Sequence, residues 1–285
     1  MSSVSIIVPA YNEEKGIGSI LTHLQAVMTT REMEYEIIVV DDGSTDGTAD
    51  AVRQHEQVRL VRHHSNRGYG AAIKTGIRQA RYDWIAIIDA DGTYPPSAMP
   101  TLLQEIEHCD MVVGARPPTE IAAVRRPAKW LLARLAEYMA ETRIPDLNSG
   151  MRVFRKDIAL SYFNILPSTF SFTITITIAF LSDHYLVKFV PIPYESREGR
   201  SKIRPVQDTL AFVQLILRTV MYFNPLKVLF PLSFLLLLLA VLIGTYSLVV
   251  YGRVMDITVI TLTMAALQIA VVAMIADMVQ KKNKV

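Results

Sequence analysis

Two long apolar runs near the C-terminal end constrain this chain more than any other feature. Val228–Val250 is 23 residues without a charge, and Ile257–Ala276 is 20. As helices rising 1.5 Å per residue, each is roughly 30–35 Å long, enough to cross a bilayer hydrocarbon core. The link Tyr251-Gly252-Arg253-Val254-Met255-Asp256 has room only for a tight hairpin. A soluble fold would have to cover two such helices on every face. A membrane anchor is therefore expected at 226–280, with spans near 228–250 and 257–276. Arg204, Arg218 and Lys227 precede the first span, and Lys281, Lys282 and Lys284 follow the second, in a basic tail at 281–285. The positive-inside bias then places both termini, and the domain before the hairpin, in the cytoplasm.

The rest of the chain is long enough for a sizeable core. With 51% apolar and 20% charged residues, 285 residues fit neither a disordered chain nor a disulfide scaffold. The single cysteine, Cys109, allows no internal disulfide and is expected to be a buried or semi-buried thiol without chemistry. Met1-Ser2-Ser3-Val4 leads directly into an apolar strand pattern, so no cleavable signal is expected. Charge is unevenly distributed. Residues 1–115 hold nine Lys/Arg against sixteen Asp/Glu, whereas 116–156 hold nine against four and 197–227 six against two. Basic blocks beside membrane spans suit anionic lipid and phosphate, and no nucleic acid partner is expected.

Before the hairpin, apolar runs alternate with helical patterns. Strands are expected at Val4–Val8, Glu36–Val40, Val58–Val61, Trp84–Ile88 and Met111–Val113, and helices at Glu14–Met28, Thr48–Glu56, Gly70–Ala80 and Ser97–Glu107. That alternation predicts an α/β domain with a mostly parallel sheet, whose ligands sit beyond the carboxyl ends of the strands. Three strands deliver acidic residues there: Pro9-Ala10-Tyr11-Asn12-Glu13, Asp41-Asp42-Gly43-Ser44 and Asp89-Ala90-Asp91-Gly92. Asp89 and Asp91 can share a divalent cation, since Mg²⁺ and Mn²⁺ favour oxygen ligands and retain substrate phosphates. The same residues also suit a plain Asp-Gly turn. Neither a GxxxxGK[ST] loop nor a GxGxxG after the first strand is present.

In order along the chain stand Ser5-Ile-Ile-Val-Pro-Ala-Tyr-Asn-Glu13, Val39-Val-Asp-Asp-Gly-Ser44, Asn66-Arg-Gly-Tyr-Gly-Ala71, Asp89-Ala-Asp-Gly92, Asp146-Leu-Asn-Ser-Gly-Met-Arg-Val-Phe-Arg155 and Arg197-Glu-Gly-Arg-Ser-Lys202. This succession resembles family 2 glycosyltransferases of the Rossmann-like GT-A fold. Within them it resembles the polyprenyl-phosphate group that includes dolichyl-phosphate mannose and glucose synthases. The resemblance implies a catalytic domain over 1–204. It implies inverting transfer of a hexose from a nucleotide sugar, UDP-glucose or GDP-mannose, to a polyprenyl (undecaprenyl or dolichyl) phosphate at the cytoplasmic membrane face, with Mg²⁺ or Mn²⁺ as cofactor. Pro9, Tyr11, Glu13 and Asp42 would meet the nucleoside. Asp89, Ala90 and Asp91 would lie at the donor diphosphate, with Asp91 the surer metal ligand and Asp89 beside it. Arg116 would stand near the phosphates, and Arg197 and Lys202 in an acceptor loop at 195–204, one residue shorter than the commonest R-x-x-G-x-S-K form.

Many members carry a carboxylate on a helix after the sheet, used as base toward a hydroxyl acceptor. The matching stretch here, Ser171–Phe180, has no acid. A phosphate acceptor is already ionised near neutral pH and tolerates that loss. Asp146 remains the candidate to orient or deprotonate the acceptor. Thr/Ile alternation in the stretch reads as a strand by periodicity, whereas the resemblance implies a helix, adopted here.

The segment 120–141 is amphipathic and basic, with Arg126 and Lys129, together with Lys202 of the acceptor loop, as candidate lipid-phosphate contacts. A second interfacial helix is expected at 205–225. A short two-helix anchor also allows a homo-oligomer. The six histidines, His63 included, read as surface or loop residues. Three rivals stand beside the main reading: a processive polysaccharide synthase, disfavoured by the missing Gln-x-x-Arg-Trp motif; a transferase acting on a lipid or glycan hydroxyl; and a noncatalytic membrane scaffold.

Overall fold

The computed structural model describes residues 3–117, 134, 137–138, 141–194, 222, 224–253 and 256–282. The chain divides into two compact units, Met1–Ile203 and Arg204–Val285.

The first unit is built on a seven-stranded sheet: β1 (Val4–Ala10), β2 (Tyr35–Asp41), β3 (Val58–Arg62), β4 (Trp84–Ile87), β5 (Met111–Ala115), β6 (Arg152–Arg155) and β7 (Val187–Pro191). The spatial order is β3-β2-β1-β4-β6-β5-β7. All pairings are parallel except those of β6, which runs antiparallel to both β4 and β5. The expected α/β class with a mostly parallel sheet is thus observed, and β6 and β7 are two strands that the sequence pattern did not announce. Every residue of β1 is buried, because helices cover both faces of a parallel sheet and its central strands need apolar side chains on both. Register pairs Val8 with Val39 and Ala10 with Asp41, so the ends of β1 and β2 are level.

Helix α1 (Ile17–Thr29) buries Ile17, Ile20, Leu21, Leu24 and Met28, one face at helical spacing. It begins three residues later than expected. Side chains from the β2 loop hold residues 12–14 outside the helix: Asn12 N donates to Ser44 Oγ (2.9 Å), Glu13 N to Thr48 Oγ1 (2.9 Å), and Glu14 N to Asp46 Oδ2 (3.3 Å). Helices α2 (Thr48–Arg53) and α3 (Tyr69–Gln79) follow β2 and β3. The expected helix at 97–107 is instead a 3₁₀ turn, Pro96–Ala98, and a short α4 (Met99–Leu103), each with a proline in its first turn. After β6 come α5 (Lys156–Ser161) and α6 (Phe172–Ser182).

Helix α6 settles the ambiguous Thr/Ile run. All residues from Phe172 to Leu181 are buried, so the alternation marks no solvent face. Thr175 and Thr177 return their hydroxyls to the carbonyls of Ser171 (2.9 Å) and Thr173 (2.8 Å), one turn back. Packing on every side overrides the weak helix propensity of β-branched residues.

The second unit is a helical hairpin, α7 (Pro225–Tyr251) and α8 (Asp256–Lys282). Pro225–Tyr251 and Ile257–Val279 have mean hydropathies of 2.7 and 2.3, and both are long enough to cross a membrane. Asn224 caps α7 by accepting from Lys227 N at 3.1 Å, and Gly252 ends it in the left-handed conformation at φ 67°. Ser233, Ala240 and Ser247 on α7 and Ala266 and Ala273 on α8 are buried, and Ser233 Oγ donates to the Ala266 carbonyl at 2.6 Å. Small residues let the two backbones approach. Large side chains such as Phe234, Leu242, Leu267 and Ile275 face outward.

Candidate active site

The carboxyl ends of β1, β2 and β4 share one rim. At the end of β1, Pro9 is buried, Tyr11 is 37% exposed and Glu13 is partly buried. Asn12 takes a positive φ of 56° and accepts from Thr45 N at 2.9 Å. The β1 and β2 loops are thereby tied into one surface.

Asp42 follows β2 and is almost fully buried. Its carboxylate accepts from Arg67 N (2.9 Å), Gly68 N (2.8 Å) and His63 Nδ1 (2.6 Å). His63 Nε2 meets Thr75 Oγ1 at 2.9 Å. His63 stands in the loop after β3, within the sequence reading, but is buried there rather than at the surface. Asp42 needs a donor in the core, and the first residue after β3 is placed to supply it. These bonds hold the Asn66-Arg67-Gly68 loop against the end of β2.

Asp89 and Asp91 follow β4. Tyr69, the first residue of α3, donates its hydroxyl to Asp89 Oδ1 at 2.7 Å. Thr93 donates to Asp91 Oδ1 through its hydroxyl (2.6 Å) and its amide (3.2 Å). Burial, then the neighbouring Asp91 charge, raise the Asp89 carboxyl to about 6, against the lowering effects of Tyr69, Arg152 and Arg116. A buried carboxyl raised by a neighbouring carboxylate's charge suits a cation placed between the two. Gly150 packs so closely on Asp89 that a Cβ there would overlap its carboxylate. Gly150 N donates to the Tyr94 hydroxyl at 2.8 Å, and burial, then Asp89, raise that phenol to about 12. Among the described residues no group of three or more His, Cys, Asp or Glu converges on a metal position. Two hard carboxylates fit Mg²⁺ or Mn²⁺ when substrate phosphates complete the shell.

Arg116, just beyond β5, and Asp146 form a bidentate pair: Nε to Oδ2 at 2.7 Å and Nη2 to Oδ1 at 2.9 Å. The amides of Arg116 and Asn148 add bonds of 3.1 Å each to the same carboxylate. Burial opposes the Arg116 charge, but the Asp146 hydrogen bonds outweigh it and hold the guanidinium firmly protonated. Its face lies 5.3 Å from the Tyr194 ring centroid, and Tyr194 in turn meets Tyr94 edge-on at 5.4 Å.

Arg152 is the residue that sequence reasoning missed most. It is fully buried, and its hydrogen bonds go to neutral oxygens. Nε (3.2 Å) and Nη2 both donate to the Ser149 carbonyl, and Nη1 donates to Thr173 O (2.9 Å) and Thr177 Oγ1 (2.8 Å). Burial works against its charge, while Tyr69, Tyr94, Asp146 and Asp89 favour it. It clamps the Ser149–Gly150 turn beside Asp89 and ties that turn to α6. Its place in Ser149-Gly150-Met151-Arg152 was visible as a motif, but its burial was not. Thr173 Oγ1 also donates to Asn148 Oδ1 at 2.9 Å. Cys109 is half-buried, with burial raising its thiol.

The structure thus brings Asp89, Ala90, Asp91, Arg116 and Asp146 into one linked network, with Asp42 beside it through the Gly68–Tyr69 turn. Arg126, Lys129, Arg197 and Lys202, the acceptor loop at 195–204, and most of the segments at 120–141 and 205–225 lie outside the described residues.

The sheet order and the acidic loops at the carboxyl ends of its strands define an α/β domain with its candidate ligand site on that rim. The family model for glycosyl transferase family 2 matches residues 5–163, more than half of the chain, and the chain belongs to that family. An undecaprenyl-phosphate 4-deoxy-4-formamido-L-arabinose transferase of Aeromonas hydrophila is 30% identical over 161 residues, covering 54% of this chain and 49% of its own length. A dodecaprenyl-phosphate galacturonate synthase of Rhizobium johnstonii is 29% identical, with coverages of 54% and 48%. A low-salt glycan biosynthesis hexosyltransferase of Haloferax volcanii is 28% identical over 223 residues, 75% of this chain and 53% of the relative. The chain spans about half the length of the curated relatives it matches. Glucosyl-3-phosphoglycerate synthase of Mycobacterium tuberculosis, solved with Mn²⁺, UDP and phosphoglyceric acid, superimposes with a TM-score of 0.62 at 21% identity, covering 77% of this chain and 78% of that one. This likeness establishes the GT-A fold.

Proposed function

We propose that this chain transfers a hexose, with inversion, from a nucleotide sugar to a polyprenyl phosphate at the cytoplasmic face of a membrane in which α7 and α8 are embedded. UDP-glucose and GDP-mannose are the leading donors. The observation that carries the reading is the site's treatment of its acids. Helix α6 holds no carboxylate in the stretch where hydroxyl-transferring members keep their base. Asp146, the remaining candidate, accepts four N–H bonds from Arg116 and Asn148. A carboxylate so occupied is better suited to holding an arginine than to removing a proton. An acceptor that arrives ionised needs no base. The names of the polyprenyl-phosphate relatives, and an apolar hairpin in the same chain, support the same acceptor.

In this reading an acceptor phosphate oxygen attacks the anomeric carbon. The new C1–O bond forms as the C1–O bond to the diphosphate breaks, and the nucleoside diphosphate leaves with the electron pair. The residues of the chain meet the resulting charge. Asp146 and Tyr194 keep the Arg116 guanidinium in a fixed pose beside the phosphates, so no reorganisation is needed as charge develops. Arg197 and Lys202 add cations from the acceptor loop, and Arg126 and Lys129 meet the lipid phosphate. Asp91 and Asp89 would hold Mg²⁺ or Mn²⁺, whose chemistry there is to screen the donor diphosphate. Tyr69, Thr93 and the Gly150 backbone orient those carboxylates. Pro9, Tyr11 and Glu13 receive the nucleoside, with Asp42 shaping that pocket through the Arg67–Gly68 loop.

The test compares acceptors. With the full chain in detergent, a polyprenyl phosphate and the matching polyprenol are offered with labelled UDP- and GDP-sugars. The reading predicts product from the phosphate alone. Product from the alcohol at a comparable rate would favour a hydroxyl transferase with its base elsewhere.

A further inference from the structure

We infer that Phe170 is the contact for the isoprene unit that bears the acceptor phosphate, and so a determinant of acceptor choice. The inference rests on the polyprenyl-phosphate reading above.

Among the described residues of the first unit, Phe170 is the most exposed large apolar side chain, at 76%. Such exposure on a loosely held turn would carry little meaning. Here the backbone that presents it is held closely. The carbonyls of Pro167 and Ser168 press against the start of α3, where a Cβ on Gly68 or Gly70 would overlap them. Ser168 O accepts from Ala71 N at 3.2 Å, and Gly68 has a φ of +98°, which side-chain-bearing residues rarely adopt. On the other side, Thr169 O accepts from Phe172 N at 3.1 Å at the entry to α6. The ring is therefore presented by a fixed frame.

One face of the Phe170 ring is stacked on Tyr69, with centroids 5.2 Å apart and planes 13° from parallel. The hydroxyl of that tyrosine donates to Asp89. Three residues beyond Phe170, Thr173 donates to Asn148, which lies two residues from Asp146. The exposed ring is thus pinned at both ends to groups of the candidate active site. A flat apolar surface beside phosphate-handling residues suits a substrate whose flat apolar group is bonded directly to a phosphate. The first isoprene unit of an allylic, undecaprenyl-type phosphate has that form, with a planar trisubstituted double bond that can lie on an aromatic face, whereas that of a dolichyl phosphate is saturated. The residues assigned to the nucleoside stand instead at the carboxyl ends of β1 and β2 and in the loops that follow.

Steady-state kinetics of the full chain in detergent test the inference, with the donor that the wild type turns over held saturating. Acceptors are a short allylic polyprenyl phosphate, its counterpart saturated in the first unit, and an n-alkyl phosphate. Wild type is expected to favour the allylic acceptor. Phe170→Ala should raise its KM about tenfold, erase the preference over the saturated one, and leave donor KM unchanged. Phe170→Tyr should retain the preference. An unchanged acceptor KM in Phe170→Ala overturns the inference, as does a rise in donor KM alone, which would assign the ring to the sugar. Loss of vesicle binding with unchanged kinetics on short acceptors also overturns it, assigning the ring to the bilayer. Failure of the wild type on every polyprenyl phosphate overturns the acceptor reading itself, and is seen before any variant is made.

Discussion

Arg116 grips Asp146 through its own amide, Nε and Nη2, at 3.1, 2.7 and 2.9 Å. The pair joins the end of β5 to the turn before β6, so the acid fixes a cation in place. Asp146→Asn should lower kcat about a hundredfold by releasing the guanidinium, a loss typical of mispositioned catalytic groups. The shape of the pH–rate profile should be unchanged. Disappearance of its acidic limb would instead identify Asp146 as the base.

Asp89 makes a pH prediction whose sign follows from its environment. Its carboxyl is raised from 3.8 to about 6, by burial first and then by Asp91. In metal-free protein the folded state therefore takes up a proton as pH falls through about 6, while the unfolded chain does not until nearer 4. From this group alone, metal-free stability rises as pH falls across that window. A cation must displace the same proton. Mn²⁺ should therefore raise the Tm more at pH 7 than at pH 5, and the gain should vanish in Asp91→Ala. Thermal melts with EDTA or Mn²⁺ read this directly, and equal gains at both pH values would contradict it.

Gly150 leaves no room for a side chain beside the Asp89 carboxylate. Gly150→Ala should displace that carboxylate and weaken Mn²⁺ binding by at least about tenfold, measured by the free-ion EPR signal. Tyr69→Phe keeps the ring that stacks on Phe170 but removes the 2.7 Å hydroxyl bond to Asp89. A smaller loss of Mn²⁺ affinity is expected there, with the acceptor preference intact.

Removing the Arg152 guanidinium in Arg152→Met strands the Ser149 carbonyl in the core, whereas Thr173 O keeps its bond from Thr177 Oγ1. A destabilisation of roughly 1–3 kcal/mol is expected, the usual cost of leaving a buried acceptor unpaired. His63→Ala removes one of three donors to Asp42 and should cost roughly 1–3 kcal/mol, with a raised donor KM as the loop at 66–68 loosens. Thermal melting and donor titration check both variants.

Much of this fold was legible because its signals are local. The strands β1 to β5 are apolar runs, and the acidic turns after β1, β2 and β4 follow them directly in sequence. Two further strands were not announced. β6 is Arg-Val-Phe-Arg, four residues with charged ends, and it is a strand only because β4 and β5 flank it. The Thr/Ile run of α6 misleads by periodicity, since a helix buried on all sides has no polar face to reveal its period. The site was legible where motifs carry it, at Asp89, Asp91 and Arg116. Its supports were not. His63 looked like half of a loose histidine pair, and Arg152 like one more basic residue. Their burial against Asp42 and Ser149 is set by contacts between segments far apart in sequence.

Detection of the product tests the central claim most directly. The full chain in detergent, with Mn²⁺ or Mg²⁺, a polyprenyl phosphate and a panel of labelled UDP- and GDP-sugars, would be assayed by mass spectrometry. The prediction is a charged glycolipid from one donor, dependent on the cation and absent in Asp91→Ala. A folded wild-type protein that leaves the polyprenyl phosphate unmodified with every donor would contradict the account.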